Sequence, residues 1–227
     1  MRKNLFCFFL CLLAAFNVKA QDSVYNVSAT EWIIPSTLIG MGISCHTIPQ
    51  LTDFQTQLRD NLQADHHPKL SFDNYLQFLP ITSVYALKAC GLQSRHSYRE
   101  ISRLMAESFI LGAFVVYPAK DYISILRPDG SVRSSFPSGH TFFAFWGAET
   151  IRKEFGREYP LAAVAGYLVA TTTAFMRMYN NRHWLGDVCA GAGIGILATD
   201  FTYWINSRLQ KRAHETHTLP DNLMLQK

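Results

Sequence analysis

Residues 159–187 read YPLAAVAGYLVATTTAFMRMYNNRHWLGD. The first part, Tyr159 to Met176, is 18 consecutive residues without a charge, the length a helix needs to cross a bilayer. The second part changes character at once, because Arg177, Arg182, His183 and Asp187 crowd into 11 residues. An apolar helix that ends in a knot of ionisable groups makes one wall of a polar site. Segments of the same apolar kind recur along the chain. Six helices are predicted, at Trp32 to His46, Tyr75 to Leu92, Ile101 to Tyr117, Ser138 to Ile151, Tyr159 to Tyr179 and Trp184 to Ile205. Pro and Gly, the polar stretch Thr52 to Ser71 and the charged turn around Arg152 to Glu158 separate them. No alternating strand pattern runs for any useful length, so the fold class is all-α, a six-helix bundle.

Composition narrows the setting. Of 227 residues, 48% are hydrophobic, 13% aromatic and 17% charged; the charged share is below the ~25% of ordinary soluble domains. Disorder is excluded. A mean hydropathy of +0.02 leaves a greasy soluble domain and a membrane bundle both open. Charges interrupt four of the apolar segments, at Lys88, Glu107, Glu149 and Asp200, and such residues are tolerated in a bundle where they pair. Trp32, Trp184, Tyr203 and Trp204 lie near segment ends, as interfacial aromatics do.

The N-terminus has the layout of a secretory signal peptide over residues 1–20: Arg2 and Lys3, an apolar run from Leu5 to Phe16, then Val18-Lys19-Ala20. An uncleaved anchor is the alternative. Domain boundaries follow: signal peptide 1–20, helical domain 21–210 and polar tail 211–227. The chain carries 21 Lys+Arg against 17 Asp+Glu, and Arg2, Lys3 and Lys19 belong to the leader, so the mature chain has 18 against 17. That balance argues against a nucleic-acid partner. Cys7 and Cys11 leave with the leader, and Cys45, Cys90 and Cys189 are too dispersed for a disulfide framework or a metal site; they read as small buried hydrophobes. Positive charge gathers at Arg95, Arg99 and Arg103, at Arg152, Lys153 and Arg157, and at Arg208, Lys211 and Arg212. If all segments span, that end faces the cytoplasm and the opposite end faces outward. A cleaved leader conflicts with six full spans; one segment then does not cross fully, and Trp32 to His46, with its early Pro35, is the first candidate.

Three stretches carry polar detail at helix ends: Lys120 to Pro128, Ser135 to His140, and Arg177 to Asp187. In an up-and-down bundle the ends of the third and fifth helices and the starts of the fourth and sixth share one face. Lys120, Arg127 and Arg177 would repel one another there unless an anion joined them, and guanidinium forks fit the paired oxygens of phosphate. With Pro137 in the first turn, the N–H groups of Ser138, Gly139 and His140 would point outward at a helix start, a ready anion site. His183 and Asp187, four apart, would share a helix face, so that the carboxylate orients the imidazole. A neutral, oriented imidazole is a competent nucleophile toward phosphorus. His140 is placed to protonate the leaving oxygen and then to activate water. Each feature alone has a plainer meaning: a turn, a surface ion pair, flanking charges. Their concurrence at helix ends favours phosphate-ester hydrolysis.

The order Lys-x6-Arg-Pro, Pro-Ser-Gly-His, Arg-x5-His-x3-Asp, from Lys120 to Asp187, resembles the type 2 phosphatidic acid phosphatase family, which shares its core with class A acid phosphatases and vanadium haloperoxidases. The resemblance implies a membrane-embedded bundle of that type. It implies His183 as nucleophile, Asp187 as its partner, His140 as acid and base, and Lys120, Arg127, Ser138, Gly139 and Arg177 as phosphate ligands, with no metal or other cofactor. The family's usual Ser before the third-motif Arg is Met176 here. The implied substrate is a phosphomonoester or pyrophosphate on a lipid: phosphatidic acid, phosphatidylglycerol phosphate, isoprenyl diphosphate or lipid A. The implied setting is a bacterial-type inner membrane with the site facing outward, or the periplasm. A soluble periplasmic acid phosphatase, a vanadium haloperoxidase and a non-catalytic lipid-phosphate binder are the other readings. Arg133 and Arg182 lie near the motifs, as solvated charges or substrate contacts. Gly191-Ala-Gly193-Ile-Gly195 reads as close helix packing, not a nucleotide loop. His66-His67 and His214-x-x-His217 lack the surroundings of a metal site, and the tail from Lys211 reads as loose.

Overall fold

The computed structural model of the chain describes residues 29–64 and 68–217. The expected signal peptide, His66-His67, the end of the tail and the side chains of His214 and His217 lie outside the described residues. Among the described residues all regular structure is helical: α1 (Ala29–Thr47), α2 (Pro49–Gln63), α3 (Asp73–Leu76), α4 (Leu79–Ala89), α5 (Tyr98–Ile123), α6 (Gly139–Phe155), α7 (Pro160–Tyr179) and α8 (Leu185–His217). The all-α class holds, but the six-helix count does not. The stretch read as a polar break from Thr52 contains α2, a mostly polar surface helix with Pro49 in its first turn and Gln55 as its buried residue; low hydropathy hid its periodicity. The second expected helix is two, α3 and α4, because the chain turns at Gln77-Phe78 ahead of Pro80. The fifth element runs through Pro118 to Ile123, so Lys120 sits in its last turn and not beyond it. The last helix continues to His217, into the expected tail.

Helices α6 and α8 form the centre, with α1, α5 and α7 packed around them and α4 against α6. Their closeness is set by glycine, as the sequence suggests. A Cβ on Gly191 would lie 2.5 Å from Ser138 O, and one on Gly195 would lie 2.7 Å from Phe142 O and 2.9 Å from Trp146 N. Both face the backbone of α6, where nothing can move aside cheaply. Phe142, Phe155, Ile101 and Leu104 fill the interior around this contact.

The charges that interrupt the apolar segments find partners. Lys153 Nζ meets Asp200 Oδ1 at 2.6 Å, and Arg152 reaches Glu149, Asp200 and Glu31. Glu154 accepts from His96 Nδ1 at 2.8 Å and from the Tyr203 hydroxyl at 2.6 Å. Lys88 donates to Ser94 and to His96 O, and Glu107 pairs with Arg103 at 3.0 Å. Of the three cysteines, Cys45 is buried, Cys189 half-buried and Cys90 exposed, so the buried reading fails for Cys90. Among the described residues, three helices are long and apolar enough to cross a membrane: α5, α7 and α8 over Leu185–Arg212.

Gly195→Ala should lower stability by about 1–3 kcal/mol through overpacking. Gly40→Ala, where a Cβ meets nothing within 4 Å, should be neutral or gain up to ~1 kcal/mol of helix propensity. Thermal unfolding of the two variants in detergent checks the contrast.

Candidate active site

The site is built around Asp187, in the first turn of α8 and fully buried. Its Oδ2 accepts the N–H of Trp184 at 2.8 Å, three residues back, as an acidic residue does when it caps a helix start. The same oxygen accepts from Ser135 Oγ and, at 3.3 Å, from His183 Nδ1. Oδ1 accepts from His46 Nε2 at 2.9 Å.

His183 meets Asp187 by a different route from the one its spacing suggests. It precedes α8 and lies in the turn after α7, where the N–H groups of Arg182 and His183 both reach Arg177 O, at 3.0 and 3.2 Å, and Asn181 adopts φ 56°. The pair therefore comes from a tight turn and not from a shared helix face. Burial pulls the His183 imidazole down to about 4 against the opposing hydrogen bond to Asp187, with Arg177 and Lys120 adding to the drop. The imidazole is neutral at physiological pH, as a nucleophile must be.

His140, in the first turn of α6, donates from Nε2 to Asn74 Oδ1 at 3.0 Å. Burial, then Arg177 and His183, also lower its imidazole to about 4. A phosphate beside it would favour the protonated form, which supplies a general acid only when substrate is present.

Ser138 departs most from expectation. Pro137 precedes the helix, and Ser138 is its N-cap, with Oγ accepting from Thr141 N at 3.4 Å and Oγ1 at 3.0 Å. Its own N–H donates to Asp187 O at 3.0 Å. Ser138 is thus buried and engaged, and the first-turn donors left for an anion are those of Gly139 and His140. Lys120 reaches over this turn, with Nζ on Pro137 O at 2.6 Å and Ser134 O at 3.1 Å, and its Cε would be 3.8 Å from a Cβ on Gly139. A side chain at Gly139 would meet Lys120 only in ordinary van der Waals contact.

Beside this turn lies a cavity of about 230 Å³ walled by Lys69, Asp73, Asn74, Arg127, Arg177 and Arg182. Arg177 is buried, and its Nη1 donates to the buried Asp73 Oδ2 at 2.6 Å. The Nε atoms of Arg127 and Arg177 are buried and have no acceptor. Lys120, Arg127 and Arg177 lie close enough to repel one another. The cavity wall therefore carries more positive than negative charge. Arg182 is held by Asp129 at 3.1 Å, and Arg133 is exposed.

His46, Ser135, Asp73 and Asn74 were not assigned from the sequence. Ser135 stands inside a quoted motif; an acid followed by an amide in the polar stretch before the second helix, and a lone histidine closing an apolar segment, were the available signals for the others.

Residues 103–211 match the family model of the PAP2 superfamily. A lipid A 1-phosphatase of Porphyromonas gingivalis is 36% identical over 184 residues, which is 81% of this chain and 41% of that protein. The crystal structure of Aquifex aeolicus LpxE superposes with a TM-score of 0.52 at 21% identity, over 65% of this chain and 93% of that one. Residues 103–211 of this chain belong to the PAP2 superfamily. The superfamily match covers α8 to Lys211 and most of α5, with α6 and α7 between them, while α1 to α4, which supply His46, Asp73 and Asn74, lie before it. The chain spans less than half the length of the Porphyromonas relative.

Asp73→Ala would leave the buried Arg177 cation uncompensated, a loss of roughly 3–5 kcal/mol. Inorganic phosphate should restore part of the lost thermal midpoint and shift the variant more than the parent. Equal shifts in both would place the anion site away from Arg177.

Proposed function

We propose that this chain is a metal-independent phosphatase that hydrolyses a phosphomonoester or pyrophosphate on a lipid through a phosphohistidine. The observation that carries this reading is the pair of buried, acceptor-less guanidinium Nε donors of Arg127 and Arg177, beside two neutral imidazoles. Phosphate oxygens fill those donors in the forked geometry that guanidinium favours. Lys120, Arg127, Arg177 and the first-turn amides of α6, including Gly139, hold the equatorial oxygens and stabilise the charge that develops on them. Ser138 contributes by capping that turn.

The reaction follows from these positions. His183 Nε2 attacks phosphorus while Nδ1–H stays on Asp187, and the bond to the leaving oxygen breaks as His140 delivers a proton to it. The lipid alcohol, or the lipid monophosphate from a pyrophosphate, departs. His140 then takes a proton from water, the oxygen attacks phosphorus, the P–N bond breaks, and inorganic phosphate leaves a neutral His183.

Lipid as the carrier of the phosphate is supported by the surroundings of the cavity. Leu70, Phe72, Tyr75, Phe78 and Leu79 are exposed on the segment that supplies Asp73 and Asn74. That segment is tied to the end of α7 by reciprocal bonds between Leu70 and the Asn180 amide, 2.9 and 2.7 Å. It therefore sits at the level where α5 and α7 end and α8 begins, which supports a place near lipid headgroups for helices that span a bilayer. The Porphyromonas relative makes lipid A phosphates the first substrate to test, followed by phosphatidic acid, phosphatidylglycerol phosphate and isoprenyl diphosphate. Arg95, Arg99 and Arg103 lie at the opposite end of α5 from Lys120, which supports an outward-facing site in a bacterial-type inner membrane.

Phosphate release from this lipid panel and from para-nitrophenyl phosphate tests the reading. The parent should favour lipids, and His183→Ala should lose turnover on all of them; retained turnover contradicts the nucleophile. Phe72→Ser with Tyr75→Ser should cut lipid hydrolysis several-fold and spare the soluble ester. Equal rates on both substrate classes, unaffected by that pair, would mark a soluble-substrate acid phosphatase instead.

Neutral His183 is present above a pH of about 4 and is lost as pH falls through that value. Because kcat/KM reports on the free enzyme, its acid limb, corrected for substrate ionisation, should lie well below the ordinary imidazole value of 6.5. A limb at the ordinary value would contradict the buried placement.

A further inference from the structure

Asp187 is served by two imidazoles, and the second comes from the far end of the sequence. His46, in the last turn of α1, lies 141 residues from Asp187 and donates from Nε2 to Oδ1 at 2.9 Å. The approach depends on close helix contact, since a Cβ on Gly186 would lie 2.9 Å from His46 Nε2 and 2.7 Å from Gly42 O.

The orientation of His46 is itself determined. Gln55 of α2 is buried, its Oε1 accepts Gly186 N at 3.2 Å, and its Nε2 donates to Cys45 O at 2.7 Å. Flipping the amide would set donor against donor and acceptor against acceptor, so the identity of each end is fixed. The second Nε2 hydrogen faces His46 Nδ1 at 3.4 Å. A donor there requires a lone pair on Nδ1 and places the imidazole proton on Nε2, the atom that faces Asp187. The Phe136 ring meets the imidazole edge to face at 5.4 Å.

We infer that His46, set by Gln55, is a positioning residue for the nucleophile: it occupies Asp187 Oδ1 and leaves Oδ2 to orient His183. This rests on the reading of His183 as nucleophile. The charged and titratable groups that surround the pair are Lys120 from α5, His140 from α6, Arg177 from α7 and Cys45 from α1. Removing a donor from Oδ1 leaves the carboxylate more basic, so it holds the imidazolium form of His183 more strongly. The acid limb of kcat/KM then moves to higher pH.

The test uses the full chain in detergent with short-chain phosphatidic acid. His46→Ala should lower kcat roughly 10–100-fold, the range seen when the partner of a site ligand is removed. KM should change little and the acid limb should rise. His46→Gln, whose amide Nε2 reaches as far as the imidazole Nε2, should regain most of the rate; His46→Asn, one methylene shorter, should not. Gln55→Leu should fall between parent and His46→Ala. Equal rates for the Gln and Asn variants, or an unmoved acid limb, overturn the inference, and those two variants decide the matter if His46→Ala fails to fold. Turnover by His183→Ala would instead overturn the underlying reading, whereas a dead His183→Ala beside a fully active His46→Ala would overturn the positioning role alone.

Discussion

A carboxylate with no access to water costs several kcal/mol unless its oxygens are filled by donors, and Asp187 is the fully buried carboxylate that the site end of this bundle must satisfy. It does so with donors from separate parts of the chain: His46 of α1, Ser135 of the segment before α6, the backbone of Trp184, and His183 from the turn after α7. Its backbone carbonyl also receives Ser138 N, which registers the start of α6 against the start of α8. The glycines of α8 let the two helices approach closely enough for that bond. Fold and site are therefore one problem: the packing that buries Asp187 also sets His183 on the backbone of Arg177 and His140 on Asn74, two residues of the cavity wall.

The two ends of the core handle charge in opposite ways. At the end away from the cavity, Glu149, Lys153 and Asp200 are buried and matched, and Glu154 is saturated by His96 and Tyr203. Such a network ties α6 and α8 together, with Asp200 Oδ2 left without a hydrogen-bond partner. At the cavity end Lys69, Arg127, Arg177 and Arg182 share the wall with one carboxylate, Asp73, and two buried Nε donors lack acceptors. Excess cation at a helix-end pocket is costly in the empty protein and favourable once phosphate enters, which is the differential a binding site needs.

Much of this was legible in the sequence, and the failures have physical causes. Arg177, His183 and Asp187 stand out in the sequence because three chemically loaded residues follow an apolar run. Their geometry was misjudged, since spacing alone cannot distinguish a helix face from a turn that folds back on a helix start. Ser138 was expected to offer its N–H to an anion, but the donor is consumed by Asp187 O, a contact between segments about fifty residues apart. His46 and Asp73 escaped because each acts through a partner more than a hundred residues away. The polar helix α2 escaped because it presents little apolar surface, yet its one buried residue, Gln55, fixes His46.

The central claim is that phosphate passes through covalent attachment to His183. It is tested most directly by mixing the protein with labelled lipid phosphate, quenching in base within the first turnover, and mapping the label by mass spectrometry. The account predicts an acid-labile, base-stable phosphoryl group on His183, absent when vanadate occupies the cavity. Label on another residue, or hydrolysis with inversion at phosphorus and no labelled protein, would contradict it.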